Sequence, residues 1–217
     1  MILEDIIIRQ YRKQDRETVR SIAWDTAFMG SPAEIFFSEK KILADFLTLY
    51  FTDYEPESCF VATSAGKVVG YLIGAKSTQK LSAIFLFKII PCLFLKAVLS
   101  GDIFKKKNLI FLLNCLVSFV RHEFSMPDFS KEYPATLHIN VDKDFRDLKI
   151  GSRLLSSFVS YLAREKITGV LLATMSDKAA GFFRKEGFNL LYTARRSYFS
   201  YILHRSLSLY LFAKKLP

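Results

Sequence analysis

The chain has 217 residues, 51% of them hydrophobic and 15% aromatic, enough apolar material for a buried core and too much for a disordered segment. Its three cysteines form no CxxC pair and its three histidines do not cluster, which excludes a disulfide framework and gives no zinc-ligand spacing. The formal net charge of +10 suits nucleic acid, an anionic membrane or a polyanionic small molecule, and does not choose among them.

No Gly-, Ser- or Pro-rich run marks a linker and no repeat is visible, so a single domain over residues 1–217 is expected. Cys59, Cys92 and Cys115 read as buried, reduced thiols. Glu4 and Asp5 stand where a secretory signal would be basic, so a cytoplasmic location is expected.

In chain order, Ile6 to Arg9 suits an opening strand. Asp15 then stands at an N-cap position before Val19, Ile22, Ala23 and Thr26 at helical spacing. Ala33 to Thr52 reads as one or two amphipathic helices. Cys59 to Thr63 and Lys67 to Ala75 flank the turn Ser64-Ala65-Gly66 and predict a hairpin, with Gly70 and Gly74 marking a bulge or close backbone approach. Leu81 to Ser100 is apolar and nearly long enough for a membrane span, but Lys88, Lys96 and Pro91 count against one. With Asn108 to Phe119 it is read as helices packed on the domain; a surface that touches membrane or closes over a greasy ligand is the second reading. The basic triplet Lys105-Lys106-Lys107 reads as a solvated loop.

Tyr133 to Val141 predicts a strand with Thr136, His138 and Asn140 on one face and Leu137, Ile139 and Val141 on the other. A charged loop leads to a helix with Ile150, Leu154, Leu155, Phe158, Tyr161 and Leu162 on one side. Gly169 to Met175 is a central strand, and Ser176 or Asp177 caps a helix that Gly187 stops. Phe188 to Ser200 and Ser206 to Ala213 are further β-rich runs. The expected fold class is therefore α/β, a three-layer α-β-α sandwich around a mixed, mostly antiparallel sheet with a helical insert at about 79–132.

The segment from Asn140 to Ser152 is the most informative. A strand ends, a loop bearing Lys143, Arg146 and Lys149 turns, and a helix opens at Gly151. The free amides and dipole of such a terminus suit a pyrophosphate. This segment resembles the coenzyme A loop of GNAT acyltransferases, R/Q-x-x-G-x-G/A: Arg146 matches the first position and Gly151 the second glycine, while Lys149 replaces the first glycine. Ser176 to Phe188 is similar to the family's N-x-x-A-x-x-F-Y-x-x-x-G-F segment through Ala179, Phe182, Gly187 and Phe188, with Ser176 for Asn and Phe183 for Tyr. The hairpin ending Gly66 to Tyr71 also looks like the family's second and third strands. Glu55-Pro56, Leu137-His138-Ile139 and the insert resemble the acetyltransferase-like domain of O-GlcNAcase proteins.

The resemblance implies an N-acyltransferase that moves an acyl group from acetyl-CoA, or another acyl-CoA, directly to a small-molecule or peptide amine. It places Ile139, Asn140 and Val141 on the pantetheine, Arg146, Leu148, Lys149, Ile150, Gly151 and Ser152 on the diphosphate, and Ser176 and Phe183 beside the thioester. His138 is the candidate base, with a satisfied core histidine as its bland alternative. Phe183 lacks the hydroxyl that would protonate the thiolate, leaving Ser176, Tyr192 or water. The competing readings are an inactive acyl-CoA-binding module and, last, a basic protein for nucleic acid or membrane surfaces. No nucleic-acid module is recognisable, so no nucleic-acid partner is expected, and no metal.

Overall fold

The protein is described here by a computed structural model over residues 6–216; Glu4 and Asp5 lie outside the described residues. Seven strands form one sheet: β1 (Ile7–Gln10), β2 (Cys59–Ser64), β3 (Lys67–Ala75), β4 (Ala135–Val141), β5 (Gly169–Thr174), β6 (Asn189–Arg196) and β7 (Leu207–Lys215). Their order is β1-β2-β3-β4-β5-β7-β6. Among the described residues only the β4–β5 pair is parallel; the others are antiparallel. The mixed sheet covered on both faces, read from the order of elements, is what forms.

Helix α1 (Arg16–Thr26) and helix α2 (Lys40–Leu49) cover one face. The opposite face carries α6 (Ile150–Arg164) and α7 (Asp177–Lys185); between these pairs in chain order come α3 (Thr78–Ile84), α4 (Ile90–Leu99) and α5 (Lys106–Val120) of the insert. A short α8 (Ser200–Leu203) ends the run expected to be strand through Ser200. The predicted strand stops at Arg196, and the chain turns before β7. Strand alternation assigns the layers. Leu137, Ile139 and Val141 join the α6 core around Leu154, Phe158 and Phe212, whereas Tyr71 and Ile73 of β3 face α1.

One of two local expectations comes out differently. Asp15 stands at the N-cap of α1 but makes no capping bond to it. Its buried carboxylate takes two 2.7 Å bonds from the Arg9 guanidinium and one of 2.8 Å from the Arg12 amide. The hairpin glycines mark what was expected of them: Ala62 pairs with Gly70 and Thr63 with Val68, so the bulged residue is Val69, beside Gly70. Gly74 serves close approach: a Cβ there would stand 2.3 Å from the Phe158 ring.

The insert departs furthest. Helices form where expected, and α4 packs Leu93 against a small cluster with Tyr50 and Ile89, yet the outer faces are apolar. The lysine triplet is no loop, since Lys106 and Lys107 open α5 and Lys105 pairs with Asp102 at 2.9 Å and with Glu39. Nor are all thiols buried: Cys59 is, Cys115 is half-buried, and Cys92 is exposed.

Candidate active site

The site begins with a break in the sheet. β4 pairs with β5 only through Ala135↔Val170 and Thr136↔Leu171, so beyond Thr136 the two strands diverge. On its other side β4 keeps pairing with β3 through Val141. The Asp142 amide donates to the Val69 carbonyl at 2.9 Å, which fixes the alternation: Asn140 and His138 direct their main-chain groups to β3, and Ile139 and Val141 direct theirs into the gap. A donor–acceptor ladder is thereby left open along one wall of a cleft of about 710 Å³.

At the end of β4 the chain turns through Asp147 and Lys149, both in the left-handed region at φ +67° and +55°, and enters α6. The first intrahelical bond runs from the Arg153 amide to the Lys149 carbonyl at 3.1 Å. The amides of Ile150, Gly151 and Ser152 therefore point out of the helix end, and Lys149 provides no side-chain cap. Gly151 keeps this end bare, because a Cβ there would already stand 3.2 Å from the Phe182 ring. Arg146, Lys149, Lys178 and Lys185 line the cleft against two acids, Asp147 and Glu186. Glu186 is tied by a 2.5 Å bond from the Ser152 hydroxyl.

No protein-family model matches the chain, and no curated protein matches it significantly. Solved structures do. SsHAT superposes with a TM-score of 0.70 at 22% identity, over 96% of this chain and 97% of that one. Drosophila melanogaster polyamine N-acetyltransferase, which catalyses formation of N-acetylagmatine, gives 0.60 at 17% identity over 98% and 100%. A GNAT superfamily phosphinothricin acetyltransferase from Sinorhizobium meliloti, solved with acetyl-CoA, gives 0.57 at 14% over 97% and 88%. The fold is the GNAT fold.

Within this GNAT fold, the residues assigned from the sequence fall as follows. Ile139, Asn140, Val141, Arg146, Lys149, Ile150, Gly151, Ser152, Ser176 and Phe183 all line the cleft, as does His138. Leu148 does not; it packs against the α6 core, because the turn that lifts Lys149 into solvent rotates its neighbour inward. Asn140 lines the cleft with its side chain and not with its main chain, which is spent on β3. Arg146 donates to the Gly30 carbonyl at 2.9 Å, bracing the loop after α1 at the mouth of the GNAT cleft while other guanidinium N–H groups stay available. Ser176 caps α7, accepting from the Ala179 amide at 3.3 Å. Phe183 is 4% exposed and packs among Phe182, Phe188 and Phe212, so it is a wall. Tyr192 lies on β6 and is not among the lining residues.

Sequence reasoning missed the α1 side of the GNAT cleft, where Thr26, Ala27, Met29 and Gly30 line it. It also missed Tyr71, whose hydroxyl accepts from Asn140 Nδ2 at 2.9 Å and lies in hydrogen-bond contact with His138 Nδ1 at 3.3 Å. Their pairing depends on β3–β4 register, which no local pattern encodes.

Burial lowers the His138 imidazole from 6.5 to about 4, so the ring is neutral at neutral pH. Between these values the unfolded chain binds a proton that the folded protein refuses, so stability rises with pH there. This contribution is complete above about 6.5 and is lost as the pH falls towards about 4. Urea unfolding is expected to give a lower midpoint at pH 5 than at pH 7, with a smaller drop in His138→Gln. An equal drop in both proteins would assign the acid sensitivity to other groups.

Lys149 makes a second prediction. A side chain in the left-handed region costs about 1 kcal/mol, which glycine avoids at the expense of some unfolded-state entropy. Lys149→Gly is expected to raise stability by about 0.5 kcal/mol and, if the cleft holds a polyanionic ligand, to weaken its binding several-fold through the lost charge. A melting curve with a calorimetric titration separates the two effects.

Proposed function

We propose that the protein is an acyl-CoA-dependent N-acyltransferase, using acetyl-CoA, that passes the acyl group directly to an amine. The observation that carries this reading is the open edge of β4 at Ile139 and Val141, running into the uncapped N-terminus of α6 at Gly151. In this reading the α6 amides and the basic lining hold the diphosphate, the β4 edge holds the pantetheine amides, and Phe182 and Phe183 wall the thioester.

The amine approaches from the α1 side, past His138 and Asn140. Its nitrogen lone pair attacks the thioester carbon, the C–N bond forms, and the C–S bond breaks. The nitrogen proton leaves to solvent, and the thiolate takes a proton from water or the Ser176 hydroxyl. Main-chain donors fixed before the reaction stabilise the oxyanion without reorganising. His138, neutral and with Nδ1 facing the Tyr71 hydroxyl, orients Asn140 and the amine; it does not serve as a strong base. The resemblance to the acetyltransferase-like domain of O-GlcNAcase proteins is a finer proposal, resting on Glu55-Pro56 and Leu137-His138-Ile139.

Thiol release from acetyl-CoA with a panel of polyamines, aminoglycosides and peptide N-termini tests the reaction. Turnover with at least one amine is expected. Tight acetyl-CoA binding without turnover on any of them would favour an acyl-CoA-binding regulatory module, the reading that the missing hydroxyl at Phe183 favours. No binding at all would remove both.

A further inference from the structure

The insert turns most of its large apolar side chains outward. The only buried residues of α5 are polar, Asn108 and Ser118. Asn108 accepts from the Ser38 amide and hydroxyl at 2.8 and 2.9 Å and donates to the Asp102 carbonyl at 2.8 Å. Ser118 lies 3.1 Å from the Ser197 hydroxyl. The helix therefore grips the protein through these polar bonds and through Phe111, which packs on Phe36, Phe37 and Phe199, while Leu112, Leu113, Leu116 and Phe119 are exposed. An exposed apolar face of this extent departs from the usual amphipathic arrangement.

The preceding helical stretch, Thr78–Leu99, is long and apolar enough to cross a membrane, yet only 17% of its apolar window is buried in the protein. Ile89 and Leu93 fasten it to the α2 side, so it lies along the domain. Phe87, Leu99, Phe104, Phe119 and Val120 are each 66% to 77% exposed, far beyond scattered surface apolar residues.

Charge selects what covers this surface. Residues 78–124 hold seven basic side chains, Lys88, Lys96, Lys106, Lys107 and Arg121 among them, against two acids, Asp102 and Glu123. Both acids are engaged internally: Asp102 pairs with Lys105 at 2.9 Å, and Glu123 accepts from the Ser197 amide and hydroxyl at 2.7 Å each. The outer surface is thus apolar and cationic together. A second copy would press like charges against each other. An anionic bilayer receives both components, with apolar rings entering the acyl boundary and lysine stems reaching back to the headgroups.

We propose that the α3–α5 insert docks the protein on membranes containing anionic lipids, lying in the interface without crossing it. The inference does not rest on the reaction proposed for the cleft. Vesicle flotation of the full chain tests it, using phosphatidylcholine vesicles with and without phosphatidylserine. Recovery with phosphatidylserine is expected to exceed that without it by about tenfold and to fall with added salt.

The triple variant Phe87→Asp/Leu99→Asp/Phe119→Asp is expected to lose binding by about a hundredfold. Lys88→Ala/Lys96→Ala/Lys106→Ala is expected to lose about tenfold on the anionic vesicles alone. All six positions are exposed, so the melting temperature is expected to hold in both. Equal recovery on both vesicle types, no recovery on either, or binding indifferent to both variants overturns the proposal. So does a dimer in sedimentation that the apolar variant dissolves while vesicles recover nothing.

Discussion

Gly151→Asp is expected to leave the protein folded and to weaken acetyl-CoA binding by about a hundredfold, or about 2.7 kcal/mol. The two effects separate because the substitution acts oppositely on helix and ligand. An aspartate in the first turn of α6 faces the positive end of the helix dipole and the free amides of residues 150–152, which favours the helix. The same carboxylate would occupy the end that the proposed diphosphate needs. A unit charge about 4 Å from another costs about 4 kcal/mol at an effective dielectric near 20, reduced here by the neighbouring lysines and by solvent.

Steric cost is small, since the new Cβ meets the Phe182 ring at 3.2 Å and that ring needs to give by a few tenths of an ångström. Calorimetric titration with acetyl-CoA reads the affinity, and thermal melting without ligand reads the fold. An unchanged affinity with an unchanged melt would place the diphosphate elsewhere and remove the reading of the cleft. Gly151→Ala, which adds the Cβ without the charge, is expected to lose less than tenfold.

Most of this site was readable because it is local. The R-x-x-K-x-G spacing from Arg146 to Gly151, the strand before it and the helix after it lie within a few residues of each other, and helix termini follow rules that a sequence displays. The departure at Lys149 also has a local account: the backbone takes the left-handed conformation that glycine favours, at φ +55°, and the side chain lies in solvent.

What escaped depends on distance along the chain. The divergence of β4 from β5 opens the cleft, but it arises between strands separated by α6. The Tyr71–His138–Asn140 cluster requires the β3–β4 register, and the Arg146–Gly30 bond spans 116 positions. The insert was legible only in part. Its helices were expected to pack on the domain, and α5 does so through Asn108, Phe111 and Ser118, but that most of its apolar residues face outward depends on which side of the helix the domain takes, which helical spacing alone does not show.

Glu55→Ala is expected to cost about 3–5 kcal/mol of stability, the largest loss we anticipate from a single truncation. Glu55 is 1% exposed and sits where α2 ends, β2 begins and β3 hands over to the insert. Its Oε2 accepts from the Tyr50 hydroxyl at 2.8 Å; its Oε1 accepts from the Ser58 hydroxyl at 2.8 Å and the Lys76 amide at 2.7 Å. Removing the carboxylate strands three donors, each worth about 1–3 kcal/mol when left unpaired, and relaxation or an entering water recovers part of that sum.

Glu55→Gln discriminates between loss of shape and loss of charge. The glutamine oxygen can take the place of Oε1 and keep Ser58 and Lys76, while its NH2 donates to the Tyr50 oxygen, whose hydroxyl turns to suit. A cost near 1 kcal/mol is therefore expected for glutamine. Urea unfolding of the two variants measures both numbers. A glutamine variant as weak as the alanine one would mean that the negative charge itself holds these elements together. A mild alanine variant would mean that the network is dispensable and that α2, β3 and the insert are held by Tyr50, Ile89 and Leu93 alone.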